Sequence, residues 1–238
     1  MTPLIRRRAM MHRVDDDEGM FAHWSGEDAL VSNVWHDRVN NLSIRIDNDT
    51  THGDGWYSIT KTGNITPRGY MKMQSDVSPY IDYEFVVKVL CDIQAIDGYN
   101  SLLLSYGSIM STRWSYAFTA GINAQRTVLC AAKNSGNGLV THDVDGILTD
   151  WDNDGWNENV TIKTGIYLKP NDKQRVFTSV NGTVTETIDV NKVLLRPTYN
   201  TATASFALFG NGEAGASYLN SYRFVLRIRD IKMYNIKK

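Results

Sequence analysis

One short segment in the last third of the chain limits the fold more than any other feature. Residues 176–180, Val-Phe-Thr-Ser-Val, and residues 183–188, Thr-Val-Thr-Glu-Thr-Ile, are rich in β-branched side chains and are separated by Asn181-Gly182. Asn-Gly between two such runs predicts a β-hairpin, because a two-residue type I′ turn needs positive φ at both central positions. The segment therefore predicts antiparallel β-structure here.

Further strands are predicted by the alternation of apolar and polar side chains. Between residues 83 and 93 the apolar positions of one face are Tyr83, Phe85, Val87, Val89, Cys91 and Ile93. The same period returns at Val160, Ile162, Ile166 and Leu168. Successive side chains of a strand point to opposite faces, so each pattern predicts a strand with one buried face.

The closing strand, from Tyr222 to Tyr234, contains a change of phase. Its apolar positions are Phe224, Leu226 and Ile228 and then, with the opposite parity, Ile231 and Met233. A shift of one residue turns every later side chain to the other face of the sheet. The pattern therefore predicts a β-bulge near Arg229-Asp230.

A chain of 238 residues is long enough for one large β-sandwich domain. We therefore expect an all-β fold, an antiparallel β-sandwich over residues 21–238, preceded by an extended N-terminal arm over residues 1–20. The arm has a basic head and an acidic run but no strand period. A short helix is predicted at residues 25–31, with Ser25 as its N-cap residue.

Charge and cysteine content limit the partners of the chain. A net charge of -1 gives no general attraction to nucleic acid or to membranes, so neither is an expected partner. The chain contains no apolar stretch long enough for a transmembrane helix, and its N-terminus lacks the apolar run of a signal peptide. Cys91 and Cys130 lie in predicted strands, which favours buried free thiols, with a disulfide as the alternative.

Three segments carry a family resemblance. Residues 159–167, residues 177–182 (Phe-Thr-Ser-Val-Asn-Gly) and residues 222–235 resemble the central strand, a hairpin and the terminal strand of concanavalin-A-like lectin/glucanase domains. Within that group they are similar to the laminin-G-like branch. The resemblance covers about the last 80 residues, and it implies a jelly-roll sandwich.

A second resemblance lies near the N-terminus. Residues 21–26, with Trp24 and Gly26, and residues 34–41, with Trp35 and Asp37, are similar to the first strands of lectin-like domains in tailed-phage virion proteins, although Asn40 stands where glycine is usual. This implies a non-enzymatic bacteriophage virion protein, structural or accessory, that decorates or joins the capsid or tail and is assembled in the host cytoplasm.

In that hypothesis the arm docks onto other virion proteins or onto copies of this chain. A disordered tail is the alternative for such an arm. Docking would use apolar side chains together with arginine contacts, and the arm would fold on binding. The candidate partner-binding residues are Leu4, Ile5, Arg6, Arg7, Arg8, Met10 and Met11.

The alternative hypothesis is a carbohydrate-binding module that attaches to surface glycans. Asp150, Asp152 and Asp154, followed by Gly155, match the first half of a calcium loop, but Thr161 occupies the position of its closing glutamate. Ca²⁺ is thus the one candidate cofactor, and a solvated turn is the alternative.

Two tryptophans flank these acids. Trp151 and Trp156 would serve as aromatic platforms for a sugar, as they often do in sugar-binding sites. The alternative is that one or both tryptophans plug the end of the sandwich, because large aromatic side chains are usually buried.

A third hypothesis is a glycoside hydrolase. Such enzymes need two carboxylates facing each other across the sugar, about 5 Å apart in the retaining class. Asp82 and Glu84 lie on one predicted strand face, but the third acid of the family pattern is missing at the required offset. The sequence also contains no G-x-S-x-G nucleophile motif. We therefore expect a protein that is not an enzyme.

Overall fold

The computed structural model describes the following residues: 18–46, 50–61, 71–73, 75, 77–80, 84–95, 101–107, 118–122, 128–133, 139–144, 156–167, 174–189, 205–208 and 224–235. In this part of the chain nearly all regular structure is β-strand, and the helical structure is one 3₁₀ turn at Ser78–Tyr80. No helix among these residues has the length and apolar character needed to cross a membrane.

The strands are numbered in chain order. They are β1 (Met20–Ser25), β2 (Val34–His36), β3 (Ser43–Ile46), β4 (Thr50–Gly53), β5 (Trp56–Lys61), β6 (Met71–Met73), β7 (Glu84–Ala95), β8 (Ser101–Gly107), β9 (Phe118–Ile122), β10 (Val128–Lys133), β11 (Leu139–Val144), β12 (Asn157–Tyr167), β13 (Gln174–Val180), β14 (Thr183–Asp189), β15 (Ser205–Leu208) and β16 (Phe224–Asn235).

These strands form two antiparallel sheets of eight strands each. The first sheet has the order β14–β13–β12–β7–β16–β5–β4, and β1 pairs with the C-terminal half of β16, beside the half that pairs with β5. The second sheet has the order β11–β10–β9–β8–β15–β6–β3–β2. The predicted all-β, antiparallel β-sandwich is confirmed.

The core lies between the two sheets. Trp35 of the second sheet packs against Tyr57 of the first, with ring centroids 4.8 Å apart, and both side chains are buried. On β7 the buried positions that alternate along one face are Phe85, Val87, Val89, Cys91 and Ile93. This confirms the alternation seen in the sequence, and it defines an inner face and an outer face for the first sheet.

The predicted hairpin is confirmed. Val180 pairs with Thr183, so the loop consists of Asn181 and Gly182 alone. Their φ angles are 48° and 85°. Positive φ at both positions is the type I′ geometry that Asn-Gly favours.

The predicted bulge in the closing strand is also confirmed. The register of β16 against β7 shifts between Ile228 and Asp230, which leaves Arg229 as the extra residue. Ile228 before the shift and Ile231 and Met233 after it are all fully buried. The bulge therefore restores the apolar side chains to the inner face after the change of phase.

Two tryptophans near the N-terminus join the sheets through reciprocal hydrogen bonds. Trp24 in β1 donates its indole N–H to the carbonyl of Trp35 in β2, and Trp35 donates its own to the carbonyl of Ser25, each at 3.1 Å. Both side chains are fully buried. The bonds satisfy two polar N–H groups that would otherwise be costly to bury.

The segment that follows is held by one carboxylate. Asp37 accepts hydrogen bonds from the backbone N–H groups of Val39 at 2.7 Å and Asn40 at 3.1 Å, an arrangement typical of Asx turns. The side-chain amide of Asn40 also donates a hydrogen bond to the Phe21 backbone carbonyl at 2.7 Å. The residues that carry the N-terminal resemblance thus stabilise the fold in this structure.

The helix predicted at residues 25–31 is not formed, so that prediction was wrong. The strand β1 ends at Ser25, and the chain turns, with the Asp28 amide donating to the Ser25 carbonyl at 3.0 Å. A Cβ on Gly26 would lie only 2.4 Å from the carbonyl oxygen of Gly55. Contact between these two backbones sets the path of the chain and outweighs the local capping signal.

The first strand begins inside the segment predicted to be the arm. Met20 pairs with Tyr234, and the backbone N–H of Asn235 donates a hydrogen bond to the Gly19 carbonyl at 2.8 Å. The strand β1 therefore begins at Met20, the last residue of the predicted arm. The predicted arm residues 1–17 lie outside the described residues.

The thiol of Cys91 should be inert in the folded protein. It is fully buried in β7, and burial, with a smaller contribution from Asp92, raises its pKa. Because the thiolate is the reactive form, a Cys130→Ser variant that retains Cys91 should resist thiol reagents at pH 8 until it is denatured. Mass spectrometry after iodoacetamide treatment measures this, and rapid labelling under native conditions would contradict the buried position.

Candidate functional site

The outer face of the first sheet carries a cluster of two tryptophans and an arginine. Arg227 lies on β16 next to the core residue Ile228 and therefore points outward. Its guanidinium carbon lies 3.9 Å from the ring centroid of Trp156 and 5.2 Å from that of Trp56. We call these three residues, Trp56, Trp156 and Arg227, the aromatic–arginine cluster. All three are partly exposed.

A tight hairpin positions Trp56. This residue is the first of β5 and pairs with Gly53, so that Asp54 and Gly55 form the loop, with Gly55 at φ 70°. A Cβ on Gly53 would lie 2.1 Å from the Trp56 indole, which shows that the ring lies directly on the glycine backbone. The missing side chain of Gly53 thus leaves room for the tryptophan.

A buried carboxylate in the central strand positions the rest of the site. Asp92 in β7 is fully buried although it lies on the outer face, in register with Arg227. It accepts two hydrogen bonds from the Arg229 guanidinium, at 2.7 and 3.2 Å. It also accepts one from the backbone N–H of Asn159 at 2.9 Å. Asp92 therefore links β7 to both neighbouring strands.

The two strands beside Asp92 are both irregular at this point. The register of β12 against β7 shifts between Asn157 and Val160, where Asn159 has a φ of 55°. The bulge of β16 at Arg229 faces it across β7. Bulges re-aim side chains, and here one comes just after Trp156 and the other just after Arg227 and Ile228.

The two arginines have different electrostatic surroundings. Hydrogen bonding to Asp92 raises the pKa of Arg229, and the charges of Asp92 and Glu158 add to this. The charge of Arg229 is thereby matched by a buried carboxylate. Arg227 instead lies over aromatic faces, whose quadrupoles stabilise its positive charge. Its N–H donors point outward in the plane of the guanidinium group.

Of the residues predicted to form a site, Trp156 is the one that lies within the described residues. It is partly exposed and belongs to the aromatic–arginine cluster. The other candidates of the 143–158 loop, Trp151 for the ligand and Asp150, Asp152 and Asp154 for calcium, lie outside the described residues. The candidate partner-binding residues of the arm, Leu4, Ile5, Arg6, Arg7, Arg8, Met10 and Met11, lie outside them as well.

Sequence analysis missed Trp56, Arg227 and the role of Asp92. Asp54-Gly55 between polar, Thr-rich residues and a tryptophan is a hairpin signal that would have located Trp56. Arg227 and Asp92 sit at outward positions of two alternating strands. Their meeting depends on the pairing of β16 with β7, across more than 100 residues of sequence.

Within the described ranges no group of three or more His, Cys, Asp or Glu side chains could hold a metal ion. Glu84, one of the two acids considered for hydrolysis, lies on the outer face of β7 in register with Tyr167. Its proposed partner Asp82 is outside the described residues. The calcium site remains a prediction, because Asp150, Asp152 and Asp154 lie outside the described residues.

Solved structures of several known proteins have the same fold. The binding domain of botulinum neurotoxin DC, in complex with SialylT, superposes with a TM-score of 0.59 at 9% identity, covering 92% of this chain and 49% of that one. Trypanosoma rangeli sialidase in complex with sialic acid gives 0.58 at 12% identity, covering 93% and 31%. The binding domain of Paraclostridial Mosquitocidal Protein 1 gives 0.56 at 10%, covering 93% and 50%.

These similarities define a class of fold. The chain is an antiparallel β-sandwich that shares its fold with these proteins, and it spans a third to a half of the length of the chains it matches. At such low identity the likeness shows the fold alone. No family model matches the chain, and no curated protein matches it in sequence.

Proposed function

We propose that this domain binds glycans through the aromatic–arginine cluster on the outer face of its first sheet. The observation that carries the proposal is the placement of Arg227 over the rings of Trp56 and Trp156, at a partly exposed position. Two of the structural neighbours are described in complex with SialylT or sialic acid, which supports the same class of ligand.

The chemistry of the cluster suits a sugar. Each pyranose ring has an apolar face of C–H groups that packs against an indole, while its hydroxyl groups need hydrogen-bonding partners. The Arg227 guanidinium offers up to five N–H donors in a fixed plane, which also fits a carboxylate on an acidic sugar. Because the aromatic rings already order Arg227, it loses little side-chain entropy when a ligand binds.

A glycan array tests the proposal, and the Trp156→Ala and Arg227→Ala variants test its site. We expect the wild-type domain to bind a defined set of glycans, and each variant to lose about tenfold or more in affinity, as expected for loss of a central aromatic or arginine contact. Screening in calcium and in chelator also tests the predicted calcium site.

Tyr167→Ala is the matched control for these variants. Tyr167 lies on the same outer face and also carries an arginine, with Arg175 4.9 Å from its ring centroid. It lies eleven residues after Trp156, at the far end of β12. Its replacement should leave glycan binding unchanged. Equal losses in all variants, or no binding by the wild type in either buffer, would remove the proposal.

We also propose that the bound glycan is not hydrolysed. The residues described around the cluster include one fully buried acid, Asp92, which is already engaged by Arg229 and Asn159. They also include two exposed acids, Glu158 in β12 and Asp54 in the loop before β5, and the strands β7 and β16 lie between β12 and β5 in the sheet. Glycosidase chemistry needs a second carboxylate facing the first across the sugar. Chromatography of the best-binding glycan after prolonged incubation checks this, and the appearance of shorter products would overturn it.

The virion setting is a further proposal, which rests on the sequence resemblance. In it, the domain belongs to a tailed-phage particle assembled in the host cytoplasm, and residues 1–17 dock it onto partner subunits. Deletion of residues 2–17 leaves Gly19 and Met20 in place for pairing with β16. The truncated protein should keep its glycan binding and lose incorporation into particles. Normal incorporation would refute the role of the arm.

A further inference from the structure

The loop of the β13–β14 hairpin exposes a chemically reactive pair of residues. Asn181 and Gly182 form the loop, and both are exposed, as is Thr183 after them. A Cβ built on Gly182 would meet no atom within 4 Å. Within the part of the chain that the structure describes, no group accepts a hydrogen bond from the Gly182 N–H. The peptide nitrogen that follows Asn181 is therefore open to solvent.

An asparagine followed by glycine can lose its side-chain amide without an enzyme, because glycine leaves the next peptide nitrogen unshielded. That nitrogen gives its proton to hydroxide and attacks the Cγ of the asparagine. A C–N bond forms to the ring, the C–N bond to the side-chain NH₂ breaks, and ammonia leaves with a proton from water. One water then opens the cyclic imide at either carbonyl, which gives aspartate or isoaspartate.

The conformation of the loop opposes this ring closure. Asn181 and Gly182 have φ angles of 48° and 85°, the type I′ geometry. The first central residue of such a turn has ψ near about +30°, by mirror symmetry with type I. This ψ places the Gly182 nitrogen and the Asn181 side chain on opposite sides of the Cα–C bond, whereas the ring needs them on the same side. Asn181 must therefore leave its left-handed conformation before it can react.

Two hydrogen bonds to β12 hold Asn181 in this conformation. Its backbone N–H donates to the Thr161 carbonyl at 2.9 Å. The Thr161 N–H donates in turn to the side-chain Oδ1 of Asn181, also at 2.9 Å. Both bonds lie at the exposed end of the hairpin, and β14 is at the edge of the first sheet. The loop can therefore open locally while the rest of the sheet stays folded.

We propose that Asn181 is a modification site, at which the side chain deamidates when the hairpin loop opens. The reaction adds one negative charge to a chain whose net charge is -1. Isoaspartate also adds a methylene group to the backbone of a two-residue loop, and the type I′ turn does not accommodate it. The Thr161 N–H then loses its acceptor, so modification at Asn181 detaches the hairpin loop from β12.

Peptide mapping by mass spectrometry measures the reaction after incubation in mildly alkaline buffer, with and without denaturing urea. Asn137 and Asn211 are also followed by glycine, and both lie outside the described residues. In urea we expect all three asparagines to deamidate at comparable rates. In buffer Asn181 should react about tenfold or more slowly than in urea, because opening of the loop costs free energy. Labelling by an isoaspartyl methyltransferase identifies the isoaspartate product.

Asn41 and Asn159 are internal controls in the same digest. Both are exposed and both have a φ of 55°, as in a left-handed turn. They are followed by Leu42 and Val160, whose side chains shield the next peptide nitrogen. Both should keep their amides in urea over the time in which Asn181 reacts.

Two variants separate the turn from the residue pair. Insertion of two glycines after Gly182 lengthens the loop and removes the type I′ turn, so Asn181 should deamidate faster in the folded domain and approach its rate in urea. Circular dichroism checks that this variant is folded. Asn181→Asp keeps an acceptor oxygen and a normal backbone, so hydrogen exchange at the Thr161 N–H should stay slow. In the purified isoaspartate form the same N–H should exchange about tenfold or more rapidly.

Three results would overturn the inference. The first is an Asn181 that keeps its amide in urea while Asn137 and Asn211 react. The second is equal deamidation of Asn181 in buffer and in urea, which would show that the turn does not control the reaction. The third is a folded insertion variant in which Asn181 reacts as slowly as in the wild type. Slow reaction in buffer, together with faster reaction in urea and in the insertion variant, supports it.

Discussion

Asp92→Ala is expected to lower the free energy of unfolding by about 3 kcal/mol. The substitution leaves the Arg229 guanidinium and the backbone N–H of Asn159 without the fully buried carboxylate that accepts their hydrogen bonds. Breaking a fully buried ion pair costs about 3–5 kcal/mol. The Arg229 side chain is 35% exposed, and water reaching it places the expected loss at the lower end of that range.

Asp92→Asn separates the two contributions of this carboxylate. Its amide oxygen can still accept the Asn159 N–H, but the charge that faces Arg229 is gone. We therefore expect Asp92→Asn to lower the free energy of unfolding, but by less than Asp92→Ala does. Urea denaturation followed by tryptophan fluorescence measures both variants. A loss below about 1 kcal/mol for Asp92→Ala, the size of an exposed ion pair, would contradict a buried linking role.

Asp92→Ala should also weaken glycan binding, although Asp92 is not expected to touch the ligand. Asp92 holds the irregular segments of β12 and β16 that lie next to Trp156 and Arg227. Without it, both side chains lose a fixed position, and the entropy cost of binding rises. Affinity should fall at temperatures where circular dichroism shows that the variant is still folded. Wild-type affinity in the folded variant would show that Asp92 does not position the site.

Trp35→Ala is expected to cost about 3–5 kcal/mol of unfolding free energy. The side chain is fully buried between the sheets, packs on Tyr57 and bonds to the Ser25 carbonyl. Its removal leaves a cavity that the surrounding strands cannot close easily, because interiors are packed as densely as crystals. The domain should denature at a clearly lower urea concentration.

Trp35→Phe retains most of the packing but removes the indole N–H. The Ser25 carbonyl then loses its buried hydrogen-bond donor. We expect the free energy of unfolding to fall by about 1–3 kcal/mol, because the hydrogen bond is lost and the smaller ring packs less well. Calorimetric or urea unfolding should therefore give the highest stability for the wild type, a lower stability for Trp35→Phe and the lowest for Trp35→Ala. Equal stability of wild type and Trp35→Phe would show that the reciprocal tryptophan bonds contribute nothing.

The features that could be predicted from sequence are those encoded by neighbouring residues. Asn181-Gly182 specifies its own turn, and the change of parity between Ile228 and Ile231 specifies its own bulge. The alternation from Phe85 to Ile93 specifies which face is buried. In each case the signal and the structure lie within about a dozen residues.

The features that could not be predicted depend on residues far apart in the chain. The helix expected at residues 25–31 was excluded by contact between Gly26 and Gly55. Lys163 and Lys232 flank Lys88 only because β12 and β16 both pair with β7, in one particular register. A single sequence gives the outward direction of such a residue but not its neighbours across the sheet.

A crystal structure of the domain with the tightest-binding glycan of the array tests the central claim most directly. We predict a sugar ring packed on Trp156 or Trp56, with a hydroxyl or carboxylate group accepting a hydrogen bond from Arg227. A glycan bound on the second sheet, or at an edge of the sandwich away from these three side chains, would contradict the claim.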